Sequence, residues 1–349
     1  MPQTTQAAVW HGGSTVTIEE LPVPPLQSGE VLVEITLATV CGSDRHTVNG
    51  RRAQPHPSVL GHEAVGRIVA LEGAVHTVDG EALRIGDRVI WSVTLPCGQC
   101  DRCQSGLTAK CRTLKKTGHE AMDSGWALSG GYAHHILLPR GMPIARVYDA
   151  LSDVLAAPAA CATATVMAVI ERAGELRGRR IAVVGAGMLG LTATAASASA
   201  GARDVVAVDP DAGRRALAER FGAGSTVADT ADLADVDVLL EFSGSTAATQ
   251  EALARLTIGG VAVLAGAVAP GGDLAISPEY LVRNQLSLRG QHNYEPRHLS
   301  AALRFLGATA GDYPWEELVA PPQPLTAIHA LLTGLPGPLP RYSVAPSAH

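Results

Sequence analysis

The sequence predicts an α/β chain of two domains, a small β-rich domain and a doubly wound parallel-sheet domain. Three observations carry this expectation. The 349 residues exceed what one compact core usually organises. Short β-rich runs cut by Gly and Pro turns fill the first part of the chain. After about residue 150, strand-like apolar runs alternate with alanine-rich helical segments.

In chain order, residues 31–35 and 64–69 read as strands of a small, largely antiparallel barrel, and 84–90 as a turn feeding a further strand. Beyond residue 150 the strand candidates are 181–184, 205–208, 236–240 and 261–264, with 188–200, 211–221 and 245–256 as the helices between them. That alternation specifies a parallel sheet with helices on both faces. From about 290 it stops, so the tail is expected to rejoin the first domain. The expected domains are therefore 1–150 with 290–349, including a lobe at about 95–113, and 151–289.

Hydrophobic residues make up 46% of the chain and charged ones 17%, enough apolar material for two cores. A net charge of -6, with no run of five or six basic residues, argues against a general nucleic-acid binder. The N-terminus has no basic segment leading into an apolar one, so no secretory signal is read. The apolar stretch 154–170 contains Pro158 and small side chains, poor material for a bilayer span. A cytoplasmic protein that does not contact membranes follows, and in that compartment clustered thiols bind metal more readily than they form disulfides.

All six cysteines fit two metal sites. Cys97, Cys100, Cys103 and Cys111 fall within fifteen residues, and Gly98 and Gly106 let the chain close around an ion. Four local thiolates supply the closed tetrahedral shell of a structural zinc. Cys41 and Cys161 stand on either side of the pair His62-Glu63. Two thiolates and one imidazole leave a fourth position for water or substrate, as a catalytic zinc requires. Taken alone, Cys41 or Cys161 would read as a small buried hydrophobe.

Residues 183–190 set G-x-G-x-x-G between a strand and a helix. Gly185 permits the tight turn, Gly187 lets backbone approach a pyrophosphate, and Gly190 allows close helix packing, while Met188 and Leu189 open the helix. Nineteen residues beyond Gly190, Asp209 ends a strand. Its carboxylate can accept hydrogen bonds from ribose hydroxyls and would repel a 2′-phosphate, so a Rossmann domain that prefers NAD over NADP is expected. Arg214 runs against that preference, since a nearby arginine can accommodate the phosphate.

Together, Cys41-x-Ser43-Asp44-x-His46, Gly61-His62-Glu63, the four-cysteine cluster and the glycine fingerprint resemble the zinc-dependent medium-chain alcohol dehydrogenases over nearly the whole chain. The resemblance implies a GroES-like β-rich catalytic domain beside the Rossmann domain, and two zincs per chain. It also implies that Cys41, His62 and Cys161 ligate the catalytic zinc, with Glu63 beside the metal. Asp44 is expected, on the same likeness, to orient His62, as metal-bound histidines commonly require. Ser43 and His46 would relay a proton to solvent through the cofactor ribose, and Thr165 would lie near the nicotinamide. Gly42 stands where liver-type relatives carry a basic residue. A homodimer or homotetramer is the family's habit.

Around the expected pocket the sequence offers Arg51, Arg52, His56, Trp91, His119, Tyr132, Gln291, His292 and Asn293. These are more polar than an aliphatic alcohol needs, and Arg51 or Arg52 could pair with an anion. Residues 50–52, 157–165 and 292–296 resemble a subgroup of phosphonate-catabolism-associated alcohol dehydrogenases. The expected substrate is a polar alcohol bearing phosphate or phosphonate, or a polyol or cyclitol. Two alternatives remain: an NADPH-dependent carbonyl reductase of the same fold, and a dinucleotide-binding structural or regulatory protein without catalysis.

Overall fold

The computed structural model describes every residue except Met1, Ala269, Pro270, Pro336, Ala348 and His349. It forms two compact units, one of Met1–Ala164, Glu295–Ala310 and Trp315–His349, the other of Thr165–Tyr294 and Gly311–Pro314.

In the first unit, Thr4–Trp10 pairs antiparallel with Val16–Pro22 and with Ser58–Val59. A six-stranded antiparallel sheet runs in the order Ile144–Arg146, Arg88–Trp91, Glu63–Leu71, Val31–Val40, Tyr342–Val344, and His135–Leu138 also pairs with Val31–Val40. Val31–Val40 is buried along almost its whole length, which explains its near-continuous apolar run. Tyr342–Val344 brings the end of the chain back onto this strand.

The second unit holds a parallel sheet in the order Ser225–Val227, Asp204–Val208, Arg180–Val184, Val236–Glu241, Leu256–Leu264, Ser287–Gly290. Counted from Arg180–Val184, this is the doubly wound order of dinucleotide-binding folds. The fold class is thus the α/β class expected. Ser225–Val227 and Ser287–Gly290 were not expected from sequence, because as edge strands they bury too little to carry an apolar run.

The units divide after Ala164 and after Tyr294, where the sequence pattern suggested 150 and 290. The reason is the helix Asp153–Pro158, which packs on Val31–Val40 and Glu63–Leu71. Asp153 accepts a hydrogen bond from Thr36 at 2.5 Å and pairs with Arg88 at 2.8 Å. Pro158 cannot donate to the helix ladder, and the next turn widens into a π-helical turn, Ala159–Thr163, before Ala164–Ala173 resumes. The helical run Asp153–Ala173 is long and apolar enough to cross a bilayer, but 67% of its most apolar window is buried within the protein.

Candidate active site

Cys41, His62, Glu63 and Cys161 each offer a ligand atom within 4.8 Å of the others. Cys41 immediately precedes the helix Gly42–Val48, His62 and Glu63 begin the strand Glu63–Leu71 and the turn before it, and Cys161 lies in the π-helical turn. Irregular helical turns of that kind recur at functional sites because they aim one side chain away from the regular helical path.

A second layer holds these groups. Asp44 lies with Oδ1 3.2 Å from His62 Nδ1, within ion-pair reach but off the line of a directed hydrogen bond. Its Oδ2 accepts from the Tyr132 hydroxyl at 2.8 Å and from the Cys41 backbone N–H at 3.2 Å. The Nε2 of His62 faces the Ser43 hydroxyl at 3.4 Å. Both Glu63 oxygens are engaged: Thr39 donates to Oε2 at 2.7 Å, and Arg341 donates to Oε2 at 2.8 Å and to Oε1 at 3.0 Å.

The electrostatics suit a cation. Hydrogen bonding from Cys161 holds the Cys41 thiol well below its ordinary range against the opposing effect of burial, helped by Arg341 and His62. Hydrogen bonding with Cys41, then burial, pushes the Cys161 thiol up. Burial opposes charge on His62, yet Asp44 and Cys41 raise it well above the usual range. Burial also raises Glu63, with Arg341 opposing. A soft donor set at negative potential, with His62 oriented by a carboxylate, fits zinc.

Ser43 is half-buried and His46 exposed, one turn further along the same helix. His119 stands beside His62, with ring centroids 5.2 Å apart. Two residues proposed for the pocket are corrected: Trp91 and Tyr132 are both fully buried in the core of the first unit. Tyr132 serves the site from behind, through Asp44. His56 lies against Trp10 at 5.4 Å, and Gln291 bonds Arg172 and the Asn293 carbonyl.

The second set, Cys97, Cys100, Cys103 and Cys111, also has its sulfurs within 4.8 Å of one another. The thiol of Cys97 is drawn down to about 6 by the backbone N–H groups of Gln99 and Cys100. Cys100 is lowered in the same way by Arg112 and Cys103. Burial and the neighbouring sulfur of Cys100 push Cys103 up to about 12. Four converging thiols, of which the last is hard to ionise beside the others, call for a divalent cation. Glu295 fastens this lobe, accepting from the backbone N–H of Thr108 at 2.9 Å and of Ala109 at 3.3 Å and from the Thr108 hydroxyl.

In the second unit Gly185 has φ +94°, and a Cβ on Gly190 would meet the Gly185 carbonyl oxygen at 1.7 Å. Nothing lies within 4 Å of a Cβ on Gly187, so the backbone there faces open space. Met188 and Leu189 begin the helix Met188–Ser199 with no side chain capping it, leaving N–H groups for an anion. A pocket of about 560 Å³ is lined by Gly185, Gly187, Asp209, Arg214 and Ser243, among others. Asp209 is buried at its edge, accepting from the Ala186 N–H at 2.8 Å, with Arg214 at 3.8 Å. Thr165 is buried one turn after Cys161.

Residues 27–148 match the alcohol dehydrogenase GroES-like domain, and 189–308 match the zinc-binding dehydrogenase domain. A 5-exo-hydroxycamphor dehydrogenase of Pseudomonas putida is 30% identical over 341 residues, covering 91% of each chain. The chain belongs to the zinc-dependent medium-chain alcohol dehydrogenases. It is also similar to a sorbitol dehydrogenase of Bacillus subtilis, 28% identical with 84% of each chain covered. An alcohol dehydrogenase structure from Thermotoga maritima superposes with a TM-score of 0.91 at 25% identity, covering 99% of this chain and all of that one. A zinc-binding dehydrogenase of Sinorhizobium meliloti bound to NADP shares the fold, with a TM-score of 0.88, 23% identity, and 99% and 100% coverage.

Three residues of this alcohol dehydrogenase that support its site were not read from sequence in that role: Arg341, Tyr132 as the partner of Asp44, and Glu295. Each acts over 88 or more residues of separation, and no local spacing announces it.

Proposed function

We propose that this oxidoreductase is a zinc-dependent, NAD-linked dehydrogenase that interconverts a polar or anionic alcohol and its aldehyde or ketone. The observation that carries the reading is the convergence of Cys41, His62 and Cys161 around one point, with Asp44 behind His62 and the Ser43 hydroxyl in front of it. Zinc, when bound, supplies Lewis acidity toward the substrate oxygen, and the nicotinamide supplies the hydride acceptor.

The chain's own residues do the rest. Cys41, His62 and Cys161 hold the metal, and Asp44 sets the orientation of the imidazole. Glu63 stays beside the metal, restrained by Arg341 and Thr39. Ser43 accepts the alcohol proton, and His46 returns it to water from its exposed position. Cys97, Cys100, Cys103 and Cys111 hold a second zinc that fastens their lobe. Gly185, Gly187, Met188, Leu189 and Gly190 cradle the pyrophosphate, with Thr165 near the nicotinamide. Asp209 favours NAD by excluding a 2′-phosphate. In the cell the protein is a cytoplasmic homodimer or homotetramer, as is usual for its family.

An NADPH-linked reductase is the second reading, favoured by Arg214 standing 3.8 Å from Asp209. Metal analysis together with turnover tests these readings. The parent protein should hold about two zincs per chain, and Cys41→Ala should lose one of them together with alcohol oxidation. Comparing NAD and NADP on one alcohol separates the cofactor readings. Retention of turnover by Cys41→Ala would overturn the mechanism, and absence of turnover with any alcohol would favour a non-catalytic role.

A further inference from the structure

Resting on the dehydrogenase reading, we propose that Arg52 and Lys116 form an anion subsite beside the open donor set, so that the substrate alcohol carries a phosphonate, phosphate or carboxylate group. Arg52 follows the helix Gly42–Val48, where its N–H donates to the His46 carbonyl at 3.2 Å. Lys116 lies in the short strand Lys115–Lys116, paired with Thr94–Leu95 beside the four-cysteine lobe. Gln54 ties the two segments together, donating to the Gly118 carbonyl at 3.0 Å. The next residue, His119, sets its ring 5.2 Å from that of His62, centroid to centroid.

Both cations are half-buried, and among the described residues neither side chain has a hydrogen-bond or ion-pair partner. Other arginines of this unit are treated differently: Arg88 pairs with Asp153, Arg112 with Asp101, and Arg146 with Glu81 and Asp87. Glu120, the nearest carboxylate to Lys116 in sequence, accepts the Lys116 backbone N–H at 2.8 Å. Burial, then Arg52 and Lys110, depress the Lys116 ammonium, with Glu120 only partly opposing them, so the positive charges at this corner repel one another. The Nδ1 of His119 lies 2.6 Å from the Thr117 carbonyl, which fixes the proton on that nitrogen. Two cations held half out of water, neither ion-paired among the described residues, raise the energy of this corner, and an oxyanion relieves it through charge-assisted hydrogen bonds.

Matched alcohols and direct binding test this. In the metal-loaded enzyme, 3-hydroxybutyrate is compared with 2-butanol and 2-hydroxypropylphosphonate with 2-propanol, and methylphosphonate binding is followed by calorimetry. The anionic member of each pair should have the higher kcat/KM, by roughly tenfold or more. Arg52→Ala or Lys116→Ala should reduce that ratio about tenfold through KM, with partial recovery in Arg52→Lys, while the exposed Arg51→Ala keeps the ratio. Methylphosphonate should bind the parent and fail to bind Arg52→Ala/Lys116→Ala, a result independent of turnover. Equal use of neutral and anionic alcohols overturns the subsite, as does methylphosphonate binding that survives the double substitution and so belongs to the metal. A rise in the KM for NAD without change in the alcohol ratio would assign these cations to the cofactor and equally overturn it. If no alcohol is oxidised but methylphosphonate binding follows Arg52 and Lys116, the dehydrogenase reading fails and the anion site stands.

Discussion

Arg341 and Glu63 form a two-pronged ion pair, Nε to Oε2 at 2.8 Å and Nη2 to Oε1 at 3.0 Å, buried beside the Cys41 sulfur. Strand register produces it. Thr39 is paired with Glu63 on one side and with Ser343 on the other, and Tyr342 faces Val40, so continuing the ladder sets Arg341 opposite Cys41. The end of the chain thereby neutralises a carboxylate that would otherwise be stranded among thiols.

Arg341→Met should therefore cost about 3–5 kcal/mol, because it leaves Glu63 buried without a counter-ion. Arg341→Met/Glu63→Gln should recover much of that loss, since the desolvation of both charges disappears together. Urea unfolding of the two variants at neutral pH checks this. A double variant no more stable than the single one would show that the pair matters by packing alone.

Tyr132→Phe removes a hydrogen bond to a buried carboxylate and leaves the apolar packing intact. Asp44 then loses the shorter of the two hydrogen bonds that fix its position against His62, and zinc affinity at the open site should fall roughly 10–100-fold. Competition with a chromogenic chelator measures it. The same experiment should show no change for the four-cysteine site.

Glu295→Ala should act the opposite way. It removes the acceptor that clamps the Thr108–Lys110 turn just before Cys111, worth about 1–3 kcal/mol of local stability. Chelator should then strip the lobe metal faster than in the parent while the open-site metal leaves at its usual rate. Equal release from both sites would mean that the clamp is redundant.

How much of this was legible in the sequence depends on range. Cys97, Cys100, Cys103 and Cys111 announce themselves because four thiols in fifteen residues have few other uses. Gly185, Gly187 and Gly190 are legible because each meets a steric demand set by its own turn. Arg341 is an ordinary arginine until the register of Tyr342–Val344 on Val31–Val40 is known. Trp91 and Tyr132 misled for a related reason: an aromatic residue near ligand-bearing segments can face either the pocket or the core, and only packing decides. Arg52 and Lys116 stand between these cases, since their charge is visible in sequence, whereas the want of an ion-pair partner among the described residues is visible only in space.

The glycine fingerprint gives a test that separates folding from binding within one turn. Gly190→Ala would set a Cβ 1.7 Å from the Gly185 carbonyl oxygen, so helix and turn must part, at a cost of about 1–3 kcal/mol or more, and nucleotide binding should fall with stability. Gly187→Ala meets no atom within 4 Å, and the backbone at residue 187 has φ −80°, which alanine adopts without strain. The Gly187→Ala protein should melt at the parent temperature. Its new methyl group, however, occupies the space into which a pyrophosphate must come against the backbone, so affinity for NADH should drop about tenfold or more, read by nicotinamide fluorescence. Unchanged NADH binding in Gly187→Ala would mean that the phosphates do not lie on this turn, whatever the fate of Gly190→Ala.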